Sequence, residues 1–148
     1  MQKTQFNEDT VSLLQECSSG CKMAIESMEQ IKSLVDDKNL QEIITKYNTD
    51  HIKIHEKCHL LLNDAGEGDK DPNLMAKMMS KMQTDMKMTS NGSAKEAADI
   101  LTKGCNMGMK TLAEYMNQYK CANDEAQNLC EKLYQLEDCM VDELRVFL

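Results

Sequence analysis

The connection between the second and third long helical patterns constrains the fold of this 148-residue chain more than any other feature. It runs from about residue 65 to residue 92, which is too long for a simple turn. Asp71 and Pro72 are typical of a helix start, because a capping side chain is followed by proline in the first turn. Methionines then recur at helical spacing on one face, at Met75, Met78, Met79, Met82 and Met86. We therefore predict a connecting helix over residues 72–89 that spans most of the height of a helical bundle.

Four longer segments flank this connection in two pairs. Each places apolar residues at alternating three- and four-residue steps, which is the pattern of an amphipathic helix with one buried stripe. Each helix would be about 25 residues long, or about 38 Å. The predicted ranges are 10–36, 40–64, 93–120 and 124–147, all within a single domain over residues 1–148. Asn39, Ser93 and Asn123 are predicted to cap the second, third and fourth of these helices.

Composition narrows the range of functions. The net charge of −8 disfavours nucleic acid as a partner, because phosphates would be repelled. No apolar stretch approaches the ~20 residues of a membrane span, and the first residues, MQKTQFNEDT, lack the apolar core of a signal peptide. We therefore expect a cytoplasmic protein without membrane association, whose seven cysteines are reduced thiols. Because no catalytic signature is present, a binding or structural role is expected rather than an enzymatic one.

Two short-looped helical hairpins joined by one long crossover form the ferritin-like topology. The crossover DPNLMAKMMSKMQTDMKM and the following helix AADILTKGCNMGMKTLAEYMNQY carry this resemblance to the ferritin and rubrerythrin superfamily. The resemblance implies an all-α, ferritin-like four-helix bundle, with a helical crossover between the second and third long helices. A simple up-and-down bundle or a five-helix array is the alternative.

The resemblance also raises the question of a di-iron centre. Di-iron members use one Glu from each of two helices and a Glu-x-x-His from each of the other two. This chain has one such motif, Glu56 to His59, and Glu16, Glu114 and Glu131 fall at a similar height. However, Cys58 occupies the buried stripe, and Glu56 lies about 200° away from it on the helical wheel. The chain therefore resembles a divergent member without the full motif, and iron near Glu56 and His59 remains an alternative.

A group of thiols and imidazoles offers a different metal site. Cys17 and Cys21 lie on the buried stripe of the first helix, at the height of His55, Cys58 and His59 on the second. Thiolate and imidazole ligands suit Zn²⁺ or Cu(I). The competing interpretation is that these cysteines only pack as small apolar residues. Four further cysteines show no spacing typical of a site: Cys105, Cys121, Cys130 and Cys139.

Three further positions are informative about packing. His51 is expected at the edge of the core with a hydrogen-bonded partner. Gly104 and Gly108, four residues apart, each cost about 1 kcal/mol relative to Ala in a helix. Their presence predicts the close approach of another helix, either the crossover or a helix of a second subunit. We expect a homodimer. The sequence does not identify any further protein partner.

Overall fold

The computed structural model describes residues 6–69 and 93–148, and this part of the chain forms four long helices. None of them is both long and apolar enough to cross a bilayer. The predicted connecting helix over residues 72–89 lies outside the described residues. The observed helices are α1 (Glu8–Lys32), α2 (Lys38–Asp64), α3 (Ala94–Gln118) and α4 (Asp124–Leu144), followed by a short 3-10 helix at Arg145–Phe147.

Two buried clusters define the directions of the helices. α1 packs mainly against α2, and α3 packs mainly against α4. The cluster at one end of the bundle contains Leu13, Ile54, Leu112 and Leu129. The cluster at the other end contains Met28, Leu40, Leu101 and Met140. Thus α2 and α3 run in the same direction, and α2 ends at the end of the bundle opposite to the start of α3. The predicted all-α bundle with parallel central helices is confirmed.

Most helix starts follow the predicted capping chemistry, with one correction. Asn123 accepts a hydrogen bond from the backbone N–H of Ala126 at 2.9 Å, and Ser93 accepts one from Glu96 at 3.1 Å. The prediction that Asn39 caps α2 is wrong. Asp37 Oδ1 accepts from the backbone N–H of Leu40 at 3.0 Å, so the helix begins two residues earlier than predicted. Asp and Asn cap equally well, and the sequence pattern alone did not distinguish between them.

The bounds of α1 also differ from the predicted 10–36. Asn7 caps the helix by accepting from the N–H of Thr10 at 2.8 Å, and acidic residues in the first turn favour this earlier start. At the other end α1 stops at Lys32. Val35 is buried although it lies beyond the helix, and its carbonyl accepts from the side chain of Gln41 at 2.5 Å. The apolar stripe therefore continues through a loop, which is why periodicity overestimated the helix.

Hydrogen bonds fix the α3–α4 loop against the start of α1. Asn7 Nδ2 donates to the carbonyl of Cys121 at 2.8 Å, and the N–H of Cys121 donates to Asp9 Oδ2 at 3.0 Å. The N–H of Asn123 donates to Thr10 Oγ1 at 2.8 Å. These contacts set the heights of α1 and α4 relative to each other, and so determine which interior side chains of the two helices meet.

Candidate metal centre

The last turns of α2 and the loop that follows carry three side chains whose donor atoms converge: His55, His59 and Asp69. The two histidines are four residues apart and therefore lie on one face of α2. Their Nε2 atoms are 3.2 Å apart, and Nε2 of His59 is 3.1 Å from Asp69 Oδ2. All three donor atoms lie within 4.8 Å of one another. No other group of three or more such donors converges in this way in residues 6–69 and 93–148.

The spacing of these atoms matches that of ligands on one ion. Two ligand atoms about 2.0–2.2 Å from a metal are roughly 2.8–3.6 Å apart at octahedral or tetrahedral angles. The two short distances at His59, 3.2 Å and 3.1 Å, fall in this interval. Only small side-chain movements are needed for His55, His59 and Asp69 to bind a common ion.

The loop after α2 is held so that Asp69 faces the histidines. Gly66 adopts a positive φ of 74°, and the N–H of Glu67 donates to the carbonyl of Leu62 at 2.9 Å, which ends the helix in a Schellman turn. Gln15 on α1 then donates its side-chain N–H to the carbonyl of Gly68 at 2.8 Å. The turn and this contact bring the loop back across α1.

A hydrogen bond from α1 also orients the carboxylate. Ser18 Oγ donates to Asp69 Oδ1 at 2.7 Å, while the other oxygen, Oδ2, faces His59. Such a partner behind a ligating carboxylate is a common feature of metal sites. Burial lowers the pKa of His55, and the neighbouring His59 lowers it further, which favours the neutral imidazole that a metal requires.

The cysteines of the predicted site meet separately, in the interior. The thiol of Cys17 forms side-chain hydrogen bonds with Cys130, Cys21 and Cys58. All four residues are 0% exposed. The structure thus brings three predicted residues together and adds Cys130, which sequence spacing did not associate with them. Cys130 was missed because a contact between α1 and α4 depends on the heights of the two helices, and spacing along one helix does not show this.

The pKa values of Cys17 and Cys21 are raised, so these two thiols are protonated at neutral pH in the metal-free protein. The hydrogen bonds with Cys130, Cys21 and Cys58 raise the pKa of Cys17, and burial raises it further. For Cys21, the hydrogen bond with Cys17 lowers the pKa, but burial and the nearby Cys58 outweigh it, so that the pKa is raised. A reactive thiolate needs a lowered pKa and access to solvent, so this environment does not suit a nucleophile.

The predicted metal-site residues therefore fall into two groups. His55 and His59 join Asp69, whereas Cys17, Cys21 and Cys58 join Cys130. Glu56 is exposed and belongs to neither group. Glu114 and Glu131 are likewise exposed, as their positions off the apolar stripes predict. Asp69 was missed because it follows the helix, where no periodic pattern determines its direction.

A buried carboxylate lies near the middle of the bundle. Glu137 is 6% exposed, and its Oε1 is 2.8 Å from Nε2 of the fully buried His51. The expected hydrogen-bonded partner of His51 is therefore Glu137, but the expected position at the edge of the core is wrong, because His51 is fully buried. Burial raises the pKa of Cys105, and the charge of Glu137 together with a hydrogen bond between the two side chains raises it further. Periodicity does place Glu137 on the buried stripe, four residues after Leu133 and three before Met140.

The two glycines of α3 differ in their surroundings. A Cβ atom added at Gly108 would lie 3.8 Å from Cδ of Glu137, which is an ordinary van der Waals distance. A Cβ added at Gly104 would meet no atom of the described residues within 4 Å. The described residues therefore make only an ordinary contact at Gly108, and the close approach predicted for the two glycines, by the crossover or by a second subunit, remains a prediction.

Comparison with known proteins identifies the fold. No protein-family model matches the chain, and no curated protein matches its sequence. The structure is similar to the crystal structure of Dps92 from Deinococcus radiodurans, with a TM-score of 0.78 over 95% of this chain and 86% of that chain. At 11% sequence identity, this similarity is informative about the fold alone. The chain is a ferritin-like four-helix bundle.

Proposed function

We propose that the protein is a non-catalytic bundle that binds one divalent transition-metal ion, zinc in the first instance, at His55, His59 and Asp69. The observation that carries this proposal is the convergence of two imidazoles and a carboxylate within 4.8 Å of one another. Zinc is commonly bound by such nitrogen and oxygen ligands, with water in the remaining position. The half-buried histidines and the exposed aspartate leave room for that water.

The choice of zinc over iron rests on affinity. Two histidines and one carboxylate also suit Fe²⁺, and the distances fit both ions. However, sites with nitrogen and oxygen ligands bind Zn²⁺ more tightly than Fe²⁺ in the general order of divalent affinities. Cu(I) fits these ligands less well, because it prefers sulfur. Of Zn²⁺, Fe²⁺ and Cu(I), zinc therefore fits the ligand set best.

A bound ion would join three parts of the chain. His55 and His59 belong to α2, Asp69 belongs to the loop that leads into the crossover, and Ser18 connects Asp69 to α1. A ligand that binds only the folded state stabilises it in proportion to the logarithm of its concentration relative to Kd. We therefore expect zinc to raise the free energy of unfolding and to fix the start of the crossover against the bundle.

Calorimetric titration with zinc tests the proposal, using protein without a histidine tag. The His55→Gln/His59→Gln variant is expected to lose binding, and Asp69→Asn is expected to weaken it by about 10- to 100-fold. Glu56→Gln is the matched control, because Glu56 lies between the histidines in sequence but is exposed and outside the triad. Unchanged zinc binding in the double variant would contradict the proposal. Loss of binding in Glu56→Gln would instead favour a site at Glu56 and His59.

The cytoplasmic location and the homodimer expected from the sequence are retained as proposals. Light scattering after size-exclusion chromatography gives the mass of the particle in solution. If α3 forms the subunit contact, Gly104→Leu weakens the dimer without unfolding the protein, because the described residues leave space at this position. A monomeric wild-type protein would contradict the expected dimer.

A further inference from the structure

Four cysteines from three helices lie in one buried core cluster, and we call them the thiol cluster: Cys17, Cys21, Cys58 and Cys130. Cys130 Sγ donates a hydrogen bond to the carbonyl of Leu13, one turn before Cys17 on α1, at 3.9 Å. The side chain of Cys17 interacts with those of the other three cysteines. All four are free thiols, and none is exposed. The other members of this core cluster are apolar side chains. Buried polar groups also lie nearby, because Ser18 follows Cys17 on α1 and Glu137 acts on Cys21. The thiols are the softest ligands that this part of the core offers.

The contacts within the thiol cluster are pairwise. In the described residues, the only three donors that converge within 4.8 Å are those of the His55–His59–Asp69 triad. The four thiols therefore do not surround a single point, as four ligands on a tetrahedral zinc ion do. They instead offer pairs that share Cys17. A monovalent d10 ion such as Cu(I) is stable with only two sulfur ligands, so pairs are sufficient for it.

We infer that the thiol cluster binds Cu(I) through Cys17 and at least one of Cys21, Cys58 and Cys130. Soft thiolate ligands select Cu(I) over harder ions. In the binding step, two S–H bonds break, two S–Cu bonds form, and two protons leave to solvent. Copper remains Cu(I) throughout, so no oxidant or reductant is consumed. This inference does not depend on the zinc site proposed above.

Charge in an apolar interior also favours this ion. Cu(I) with two thiolates carries a single net negative charge, whereas zinc with four thiolates carries two. Each uncompensated charge in a medium of low dielectric constant is costly. The complex with the smaller charge is therefore the better fit to this part of the core.

Full burial determines how the ion enters. None of the four thiols is exposed, so Cu(I) reaches them only when the packing of α1 against α2 or α4 opens locally. Binding must also displace protons from the thiols. We therefore expect slow loading that accelerates in mild denaturant, and tighter binding as pH rises.

The experiment uses the full chain with the two exposed thiols removed, as Cys121→Ser/Cys139→Ser. The fully reduced protein is titrated anaerobically with Cu(I) against a chromophoric Cu(I) chelator, and ultraviolet absorption reports thiolate-to-copper charge transfer. We expect this absorption to appear in the parent and to disappear when Cys17→Ser is added. Cys105→Ser is the matched control, because Cys105 is buried but lies outside the cluster, and it is expected to leave the absorption unchanged.

A second measurement covers the case in which Cys17→Ser does not fold. X-ray absorption of the copper-loaded parent is expected to show sulfur neighbours only, at a coordination number near two. Nitrogen neighbours, or no Cu(I) bound in the parent, would overturn the inference. Equal loss of binding in Cys105→Ser would overturn it as well. The His55→Gln/His59→Gln variant, in the same parent, should retain Cu(I), so failure of the zinc proposal and failure of this inference give different results.

Discussion

Nε2 of His51 lies 2.8 Å from Oε1 of Glu137 in the interior of the bundle and joins α2 to α4. The other ring nitrogen of His51, Nδ1, is 2.6 Å from the carbonyl of Tyr47. A carbonyl only accepts hydrogen bonds, so Nδ1 carries a proton and donates it. The hydrogen bond to Glu137 then requires a further proton between Nε2 and Oε1. The pair therefore carries no net charge. Removing either partner would leave the other buried without compensation, at a large cost in free energy.

A double-mutant cycle tests this interdependence. We expect His51→Leu and Glu137→Leu each to lower the free energy of unfolding by about 3–5 kcal/mol, because each leaves an unpaired buried polar group. The double variant should lose much less than the sum of the two, since neither group then remains. Urea unfolding followed by circular dichroism measures all three. Losses that add to within about 0.5 kcal/mol would show that the two residues are not coupled.

The corrected cap of α2 provides a pair of neighbouring substitutions. Asp37→Ala should destabilise the protein by about 1 kcal/mol, because the N–H of Leu40 loses its acceptor. Asn39→Ala is the control and should be within about 0.5 kcal/mol of the wild type, since Asn39 is exposed in the first turn. Thermal and urea unfolding measure both. A larger loss in Asn39→Ala would restore the cap predicted from the sequence.

Gly108 is expected to tolerate a side chain. Ala at this position would place its Cβ 3.8 Å from Glu137, and the helix would gain about 0.5–1 kcal/mol from the loss of glycine's flexibility. We therefore expect Gly108→Ala to raise the free energy of unfolding by up to this amount. Gly108→Leu should lower it, because a larger side chain displaces the carboxylate of Glu137. Destabilisation by Ala as well would indicate a closer approach than the described contacts show.

The ion-pair network at the start of α2 gives a pH-dependent prediction. The hydrogen bond from Tyr47 lowers the pKa of Glu143, and a hydrogen bond from Lys46 lowers it further. A carboxyl with a lowered pKa adds stability above the unfolded pKa of about 4.3, and this contribution is lost as pH falls through the folded pKa. Tyr47→Phe should therefore cost about 1 kcal/mol near neutral pH and less in acid.

Direct titration of the Glu143 carboxyl by NMR separates the causes of this shift. Tyr47→Phe should raise its pKa more than Lys46→Met does, because the tyrosine is the larger influence. The lysine side chain is mostly exposed, and pairs of this kind contribute little. A larger change in Lys46→Met would contradict the assignment to Tyr47.

The presence of the four long helices could be predicted from the sequence, because apolar periodicity extends over each whole segment. The direction of the central helices could be predicted from the length of the connection between them. Helix ends were less predictable, since Asp37 and Asn39 offer similar capping chemistry two residues apart. Glu137 lies on the buried stripe of α4, but a carboxylate at such a position is expected only when a buried partner is known. Its partner, His51, is far away in the sequence, so the pair could not be predicted from local pattern.

The candidate metal site was likewise predictable only in part. The four-residue spacing of His55 and His59 indicates a shared face, so their proximity follows from the sequence. Asp69 joins them only because the Schellman turn at Gly66 and the contacts of Ser18 and Gln15 direct the loop. These are tertiary interactions that no local pattern encodes. For the same reason Cys130, rather than His55, completes the group around Cys17.

Anomalous scattering at the zinc absorption edge, from crystals grown with zinc, locates any bound zinc ion directly. We expect one strong peak per chain, about 2.0–2.2 Å from Nε2 of His55, Nε2 of His59 and a carboxylate oxygen of Asp69. A zinc peak among the buried thiols, or no peak beside the two histidines in crystals whose chains are fully occupied with zinc by elemental analysis, would contradict this expectation.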